Sequence, residues 1–111
     1  MQFIAKVIAG KGRGKKLGFP TANLDKIDLD IEYGVYSVKV KISNKIYEAL
    51  LHFGPKKTFN EKVSLELHIK NFNFDIYGKS IKIKIINKIR NIKKFTNIKE
   101  LKKQISKDLK L

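Results

Sequence analysis

Apolar and polar residues alternate with a period of two along much of this chain. The alternation runs over 34–42, 62–70 and 80–89, where valine, leucine and isoleucine are separated mainly by lysine and other polar residues. Because successive side chains of a β-strand point to opposite faces, this period predicts strands with one apolar and one polar face. Each of the three stretches is therefore expected to pack one side against a core.

Two more stretches complete the predicted strands. Residues 2–9 are largely apolar and end at Gly10, and residues 45–53 follow a Ser43-Asn44 turn signal. The second stretch therefore returns as the partner in a hairpin and ends at Gly54-Pro55. Three stretches lack a clear period and are predicted to be irregular, namely 10–24, 25–33 and 56–61.

The period changes at the C-terminal end of the chain. Asn97 is a candidate N-cap, and Glu100, three positions on, completes a capping-box pattern. The apolar positions that follow share one helical face: Ile98, Leu101, Ile105 and Leu109. About five or six short strands followed by one helix favour a small barrel or sandwich over a parallel sheet. With 111 residues, the chain is expected to form a single domain over 1–111.

Composition narrows the class of protein. Cysteine is absent, which excludes disulfides, thiolate chemistry and Cys-ligated zinc. The sequence shows neither a signal-peptide pattern nor an apolar run long enough to span a membrane, so a cytoplasmic protein without a membrane partner is expected. The formal net charge of +15 suits an anionic substrate or nucleic acid.

The positive charge has two explanations. The lysines are spread through the chain, and heavy use of lysine, isoleucine and asparagine is what an AT-rich genome would produce through codon bias. We therefore do not expect a nucleic-acid partner. A nucleic-acid-binding barrel stays as an alternative, which would need aromatic stacking residues on an exposed sheet face. Tyr36 and Tyr47 are the mid-strand candidates for that role.

A glycine-rich, basic stretch is the main candidate for chemistry. Its glycines are interleaved with basic residues, in the order Gly10, Lys11, Gly12, Arg13, Gly14, Lys15, Lys16 and Gly18. Glycine lets the backbone approach a ligand closely, and successive N–H groups can then form an anion-binding concavity. The spacing fits neither the P-loop nor the Rossmann glycine pattern. A flexible, basic surface loop is therefore the alternative interpretation.

Two oxygen-bearing side chains follow directly after Pro20. Thr21 and Asn23 are two residues apart, so in an extended segment their side chains point the same way. A hydroxyl and an amide oxygen suit a hard cation such as magnesium, which needs few ligands from the protein. The sequence therefore predicts a phosphate site with a metal site beside it.

Residues 17–23 read Leu-Gly-Phe-Pro-Thr-Ala-Asn. Together with the glycine-rich turn before it, this string resembles the signature of the bacterial and eukaryotic riboflavin kinases. The resemblance implies a closed, Greek-key type antiparallel β-barrel of about six strands with one C-terminal helix. It also implies phosphoryl transfer from ATP to riboflavin, giving ADP and FMN, with Mg²⁺ held by Thr21 and Asn23. The ATP phosphates would lie against Gly10, Gly12, Arg13, Gly14, Lys16, Gly18 and Pro20.

The resemblance extends to a Glu-x-His strand. Glu66-Leu67-His68 is followed by Phe72 and by Tyr77-Gly78, as in the family. In that family the glutamate is regarded as the base that takes the proton from the ribityl 5′-hydroxyl, so the resemblance implies that role for Glu66, with His68 and Asn71 near the nucleotide. By pattern alone, Glu66 is a solvated residue on a polar strand face, and the equal alternative for His68 is that it only fills that face.

The third matching stretch lies near the C-terminus. The family has an Ile-Arg…Phe element and a terminal helix beside the flavin, and the resemblance implies that Arg90, Phe95 and Gln104 border the flavin here. A planar guanidinium can stack or hydrogen-bond where lysine cannot. The alternatives are a surface arginine that ends a strand and a phenylalanine that covers the end of the barrel.

Two loops depart from the family pattern. The family's Asn-Ile-Gly-x-x-Pro-Thr element corresponds to the run 52–59, in which the proline is displaced and His52 replaces the asparagine. After the Glu-x-His strand, Asn71 stands where the family commonly has aspartate. His52 itself reads as a structural residue. These changes leave open a barrel that binds flavin or nucleotide without turnover. The chain has no room for the adenylyltransferase domain that usually precedes bacterial members, so we do not expect it to make FAD. We also expect the protein to be a monomer.

Overall fold

The structure is a computed structural model of the chain. It describes residues 1–8, 21–26, 28–55, 62–70, 75–92 and 97–110. Its elements, in chain order, are β1 (Gln2–Ile8), β2 (Thr21–Leu24), β3 (Gly34–Ile42), β4 (Lys45–Pro55), β5 (Val63–Ile69), β6 (Ser80–Arg90) and the helix α1 (Ile98–Leu109).

The strands form a closed antiparallel barrel in the order β1-β2-β5-β4-β3-β6. Strands β3, β4 and β5 are consecutive neighbours, whereas β6 returns to lie beside β3, which is the Greek-key arrangement. Strand β6 also pairs with β1 and so closes the sheet on that side. The predicted barrel with one C-terminal helix is confirmed, and the sandwich alternative is wrong.

Aliphatic side chains fill the interior of the barrel. The most deeply buried, each less than 2% exposed, are Val40, Leu51, Leu65, Leu67, Ile81 and Ile83. They occupy alternate positions of β3 to β6, as the period of two predicts. Burying one such side chain contributes about 1.5–3 kcal/mol. The interior of the barrel is therefore a packed core, and the outward-facing side chains are the ones left for contact with other molecules.

The structure differs from the prediction in the stretch 21–24. These residues were expected to be irregular, but they form the short strand β2. Ala22 and Leu24 join the core, so Thr21 and Asn23 point outwards together, as the argument for a metal site requires. A strand of this length is too short to show a period of its own.

Strand β4 also runs to Pro55, beyond the predicted end at 53.

The hairpin between β3 and β4 turns at the predicted residues. Ser43 and Asn44 have φ values of 48° and 70°. Two successive residues with positive φ form the type of turn whose twist matches that of paired strands. The predicted hairpin is therefore confirmed.

Helix α1 begins at the predicted cap. Oδ1 of Asn97 accepts a hydrogen bond from the backbone N–H of Glu100 at 2.9 Å. Ile98 was predicted to lie on the apolar face but is exposed, because the buried positions, Ile105 and Asp108, belong to the later turns of the helix. The N-cap prediction is confirmed, and the predicted apolar face is wrong at its first residue.

Removing the cap is expected to weaken the helix. Asn97→Ala should lower the free energy of unfolding by about 1 kcal/mol, because the N–H of Glu100 loses its acceptor. Urea denaturation measures the change, with Asn97→Asp as the control that keeps a capping oxygen. Equal stability of the alanine and aspartate variants would show that the cap contributes nothing.

The two tyrosines considered for nucleic-acid stacking pack inwards. Tyr36 is buried, and its hydroxyl donates a hydrogen bond to the backbone carbonyl of Glu32 at 2.6 Å. Tyr47 is partly buried against the core. Neither ring offers an exposed stacking surface.

The pKa of Glu32 lies below its usual value, because Lys88 donates a hydrogen bond to its carboxylate and adds a nearby positive charge.

Within the described parts of the chain, no helix has both the length and the hydrophobicity needed to cross a membrane.

Candidate active site

Two neighbouring rows of residues run across β2, β5 and β4. In the first row, Asn23 pairs with Glu66, which pairs in turn with His52. In the second row, Thr21 pairs with His68, which pairs with Leu50. Directly opposed residues have Cβ atoms about 4.5–5.5 Å apart. The barrel thus brings together residues that lie up to 47 positions apart in sequence.

These rows lie on the outer face of the sheet. Leu65 and Leu67 point into the core, so Glu66 between them points outwards. Its side chain is nevertheless only 12% exposed, and that of His68 only 10%. The alternative that Glu66 is a fully solvated residue among lysines is therefore wrong. Glu66 is a sheltered carboxylate on the outer face of the barrel.

His68 connects the two rows. Its Nδ1 lies 3.2 Å from the hydroxyl oxygen of Thr21, and its Nε2 lies 3.4 Å from Oε1 of Glu66. A neutral imidazole with its proton on Nε2 fits both contacts, because Nδ1 then accepts from Thr21 and Nε2 faces the carboxylate. Contact with the nucleotide stays a prediction for His68.

The arrangement on β2 fits the predicted cation. Thr21 and Asn23 present a hydroxyl and an amide on the same outer face, next to Glu66 and His68. Magnesium accepts such oxygen ligands and completes its shell with water and phosphate oxygens. Among the residues that the structure describes, no group of three or more His, Asp or Glu side chains forms another metal site. Metal binding by Thr21 and Asn23 stays a prediction.

Arg90 holds the end of the helix against the barrel. Its Nε and one terminal nitrogen lie 3.0 Å and 2.9 Å from Oδ2 of Asp108. Nε2 of Gln104 donates to the other oxygen of that carboxylate at 2.8 Å. The Asp108 side chain is 3% exposed and the Arg90 side chain 16%. Arg90 and Gln104 are therefore joined in one network, and their contact with flavin stays a prediction.

A cleft of about 180 Å³ lies between the end of the helix and the outer face of the barrel. Asp108 and Leu109 line it on the helix side, and Leu50 and Ile89 line it on the barrel side. Leu50 is the strand partner of His68, so the cleft adjoins the second row. The cleft thus lies between the helix end that bears Asp108 and the strand partner of His68.

Several predicted site residues lie outside the described ranges, so the structure says nothing of their placement. They are Gly10, Gly12, Arg13, Gly14, Lys16, Gly18, Pro20, Asn71 and Phe95. Their roles at the nucleotide and at the flavin stay predictions.

The sequence did not single out two residues of this region. His52 was interpreted as structural, and the alternation around it gives only its outward direction and not its strand partner. Asp108 was given no role, although it follows Gln104 by four positions and Ile105 by three, a spacing that places the three side chains on one face.

The chain is similar to known proteins over its whole length. The sequence model of the riboflavin kinase family, described as "Flavokinase: Riboflavin kinase", matches residues 1–111. The chain belongs to the riboflavin kinase family. A bifunctional riboflavin kinase/FMN adenylyltransferase from Bacillus subtilis is 41% identical over 111 residues, covering 92% of this chain and 34% of the relative. The chain thus spans about a third of the length of that relative.

Solved structures agree on the fold. A Streptococcus pneumoniae protein described as a macrolide-efflux protein superposes with a TM-score of 0.86 at 34% identity, covering 98% of this chain and 37% of that one. A riboflavin kinase from Trypanosoma brucei superposes with a TM-score of 0.60 at 23% identity, covering 98% and 76%. The second likeness is informative for the fold alone.

Proposed function

We propose that this chain transfers a phosphoryl group from ATP to the 5′-hydroxyl of riboflavin, giving FMN and ADP. The observation that carries the proposal is the outer face of β2 and β5, where a sheltered Glu66 lies beside Thr21, Asn23 and His68. The family to which the chain belongs supports the same reaction.

Each residue of the face has a task in the proposed reaction. Phosphoryl transfer needs alignment, charge neutralisation and a residue that orients the nucleophile. Glu66 takes the proton of the ribityl hydroxyl, and His68 holds its carboxylate from one side. Thr21 and Asn23 hold Mg²⁺, which when bound neutralises charge on the phosphate oxygens. The glycine-rich stretch 10–18 binds the ATP phosphates in this proposal, on sequence grounds.

A direct assay tests the reaction. The protein is incubated with riboflavin, Mg²⁺ and each nucleoside triphosphate in turn, and FMN is resolved by chromatography. We expect FMN with ATP. Absence of FMN with every nucleotide would overturn the proposal, and flavin affinity measured in the same samples would then support a binding barrel without turnover. That second function is favoured by the histidine in the row of Glu66, where the family usually has asparagine.

The metal ligands can be tested separately. Thr21→Ala and Asn23→Ala should each weaken Mg²⁺-dependent ATP binding and leave the fold intact, because each removes one oxygen from the outward face of β2. Calorimetric titration with ATP, with and without Mg²⁺, measures the loss. Lys82→Ala, an exposed residue on β6, is the control. If both variants bind Mg-ATP like the wild type, the metal assignment is wrong.

A further inference from the structure

One buried imidazole contacts both halves of the outer face. Thr21 is the strand partner of His68 on β2, and Glu66 lies two positions before His68 on β5. Nδ1 of the ring lies 3.2 Å from the hydroxyl oxygen of Thr21, and Nε2 lies 3.4 Å from Oε1 of Glu66. His68 therefore contacts a predicted magnesium ligand with one nitrogen and the predicted base with the other.

The position of the ring proton decides what His68 does to each neighbour. With the proton on Nε2, Nδ1 accepts a hydrogen bond from the Thr21 hydroxyl, and the Nε2–H faces the carboxylate of Glu66. A hydroxyl that donates to Nδ1 can meet a cation only through the lone pairs of its oxygen. A proton on Nδ1 would instead be directed at the oxygen that the cation is expected to use. The tautomer that suits Glu66 therefore also suits a metal ion at Thr21.

Glu66 needs a fixed orientation as much as Thr21 does. A proton acceptor works only when one oxygen is aimed at the substrate hydroxyl, and small errors in that aim lower the rate steeply. The side chains of Glu66 and His68 are only 12% and 10% exposed, so their contact is sheltered from water. The packed ring thus restricts the carboxylate on the side that faces His68.

We propose that His68 is a positioning residue that serves both halves of the site. It orients the hydroxyl of Thr21 for Mg²⁺ and the carboxylate of Glu66 for the ribityl hydroxyl. This inference rests on the proposed kinase function. The role differs from the nucleotide contact that the family resemblance implies, because His68 then acts through two other side chains of this chain and not on ATP itself.

Two amide variants separate the two contacts of the ring. In His68→Asn the amide lies at the level of Nδ1, so it can still accept from Thr21 but no longer reaches Glu66. We expect this variant to bind Mg-ATP like the wild type and to lose roughly 10-fold to 100-fold in kcat. In His68→Gln the amide lies at the level of Nε2, so contact with Glu66 is kept and contact with Thr21 is lost. Mg²⁺-dependent ATP binding should then weaken roughly 10-fold, and kcat at saturating Mg-ATP should fall less than in His68→Asn.

Calorimetric titration with ATP, with and without Mg²⁺, and a steady-state assay of FMN formation measure these effects. Lys41→Gln, a change to an amide at an exposed position of β3, is the matched control and should equal the wild type in both. Direct contact between His68 and the nucleotide predicts a different pattern, in which both amide variants bind ATP more weakly even without Mg²⁺. That pattern, or the same change in both variants, would overturn the inference.

Nuclear magnetic resonance tests the same inference on the unaltered ring. The chain has two histidines, so a ¹H–¹⁵N spectrum of the imidazole nitrogens contains few signals, and His52→Gln assigns them. We expect His68 to carry its proton on Nε2, and a proton on Nδ1 would overturn the inference. A wild type that forms no FMN would overturn the proposed function. The tautomer and the Mg²⁺-dependent binding of the two amide variants would still decide whether His68 orients Thr21.

Discussion

Glu66→Gln is expected to give a folded barrel that binds riboflavin and Mg-ATP but forms FMN roughly 10²–10⁴ times more slowly. The substitution keeps the size and hydrogen-bonding reach of the side chain and removes its ability to accept a proton. The carboxylate lies on the outer face, outside the packed interior. Because the side chain is only 12% exposed and contacts His68, the free energy of unfolding should fall by about 0.5–3 kcal/mol.

The test separates binding from chemistry. Thermal shift with each ligand reports binding, and a single-turnover assay reports FMN formation in the same preparation. Glu32→Gln, a carboxylate variant at an exposed position away from the two rows, is the control and should keep wild-type activity. A Glu66→Gln variant that is as active as the wild type would remove Glu66 from the mechanism.

The largest expected effect on stability comes from Arg90→Ala. The substitution leaves the buried carboxylate of Asp108 without its positive partner, and such a loss typically costs about 3–5 kcal/mol. Because the pair joins α1 to β6, the helix should detach from the barrel before the barrel itself unfolds. Far-ultraviolet circular dichroism and urea denaturation measure the two parts of this loss.

A paired substitution distinguishes anchoring of the helix from contact with flavin. Replacing both charges by apolar residues, as Arg90→Met with Asp108→Leu, should restore much of the stability, since an apolar pair often substitutes well for a buried ion pair. If riboflavin affinity recovers with the helix, Arg90 acts by anchoring α1. Riboflavin affinity that stays low in a stable double variant would support direct contact between Arg90 and the flavin. An Arg90→Ala variant as stable as the wild type would contradict the anchoring role.

The sequence predicted the elements of this fold better than the contacts between them. Alternation along β3, β5 and β6 identified the strands, and Asn97 with Glu100 identified the start of the helix, because these signals are local. Strand register is not local. Nothing in the sequence near His52 indicates that Glu66 is its partner, or that Thr21 lies beside His68. These pairings depend on how the closed barrel aligns β2, β4 and β5.

Family resemblance supplied what periodicity could not. The alternation around Glu66 predicts only a polar position on a strand, and the shelter of its side chain depends on residues far away in sequence, such as Asn23 and His52 on the neighbouring strands. Asp108 shows the opposite case. Its helical spacing could have placed it on the buried face, but a carboxylate at a buried position is expected only when its partner, here Arg90, is also known.

The filled interior of the barrel bears on how freely this sequence can change. Along Ser80–Ile85, isoleucine and lysine alone satisfy most of the inward and outward positions. Exchange of one aliphatic core residue for another of similar volume usually costs less than about 1.5 kcal/mol. Since the core side chains do not reach the outer face, mutational drift among them leaves Glu66, His68 and Thr21 in place. The barrel can thus take on the amino-acid usage of its genome while selection acts on a few outward positions.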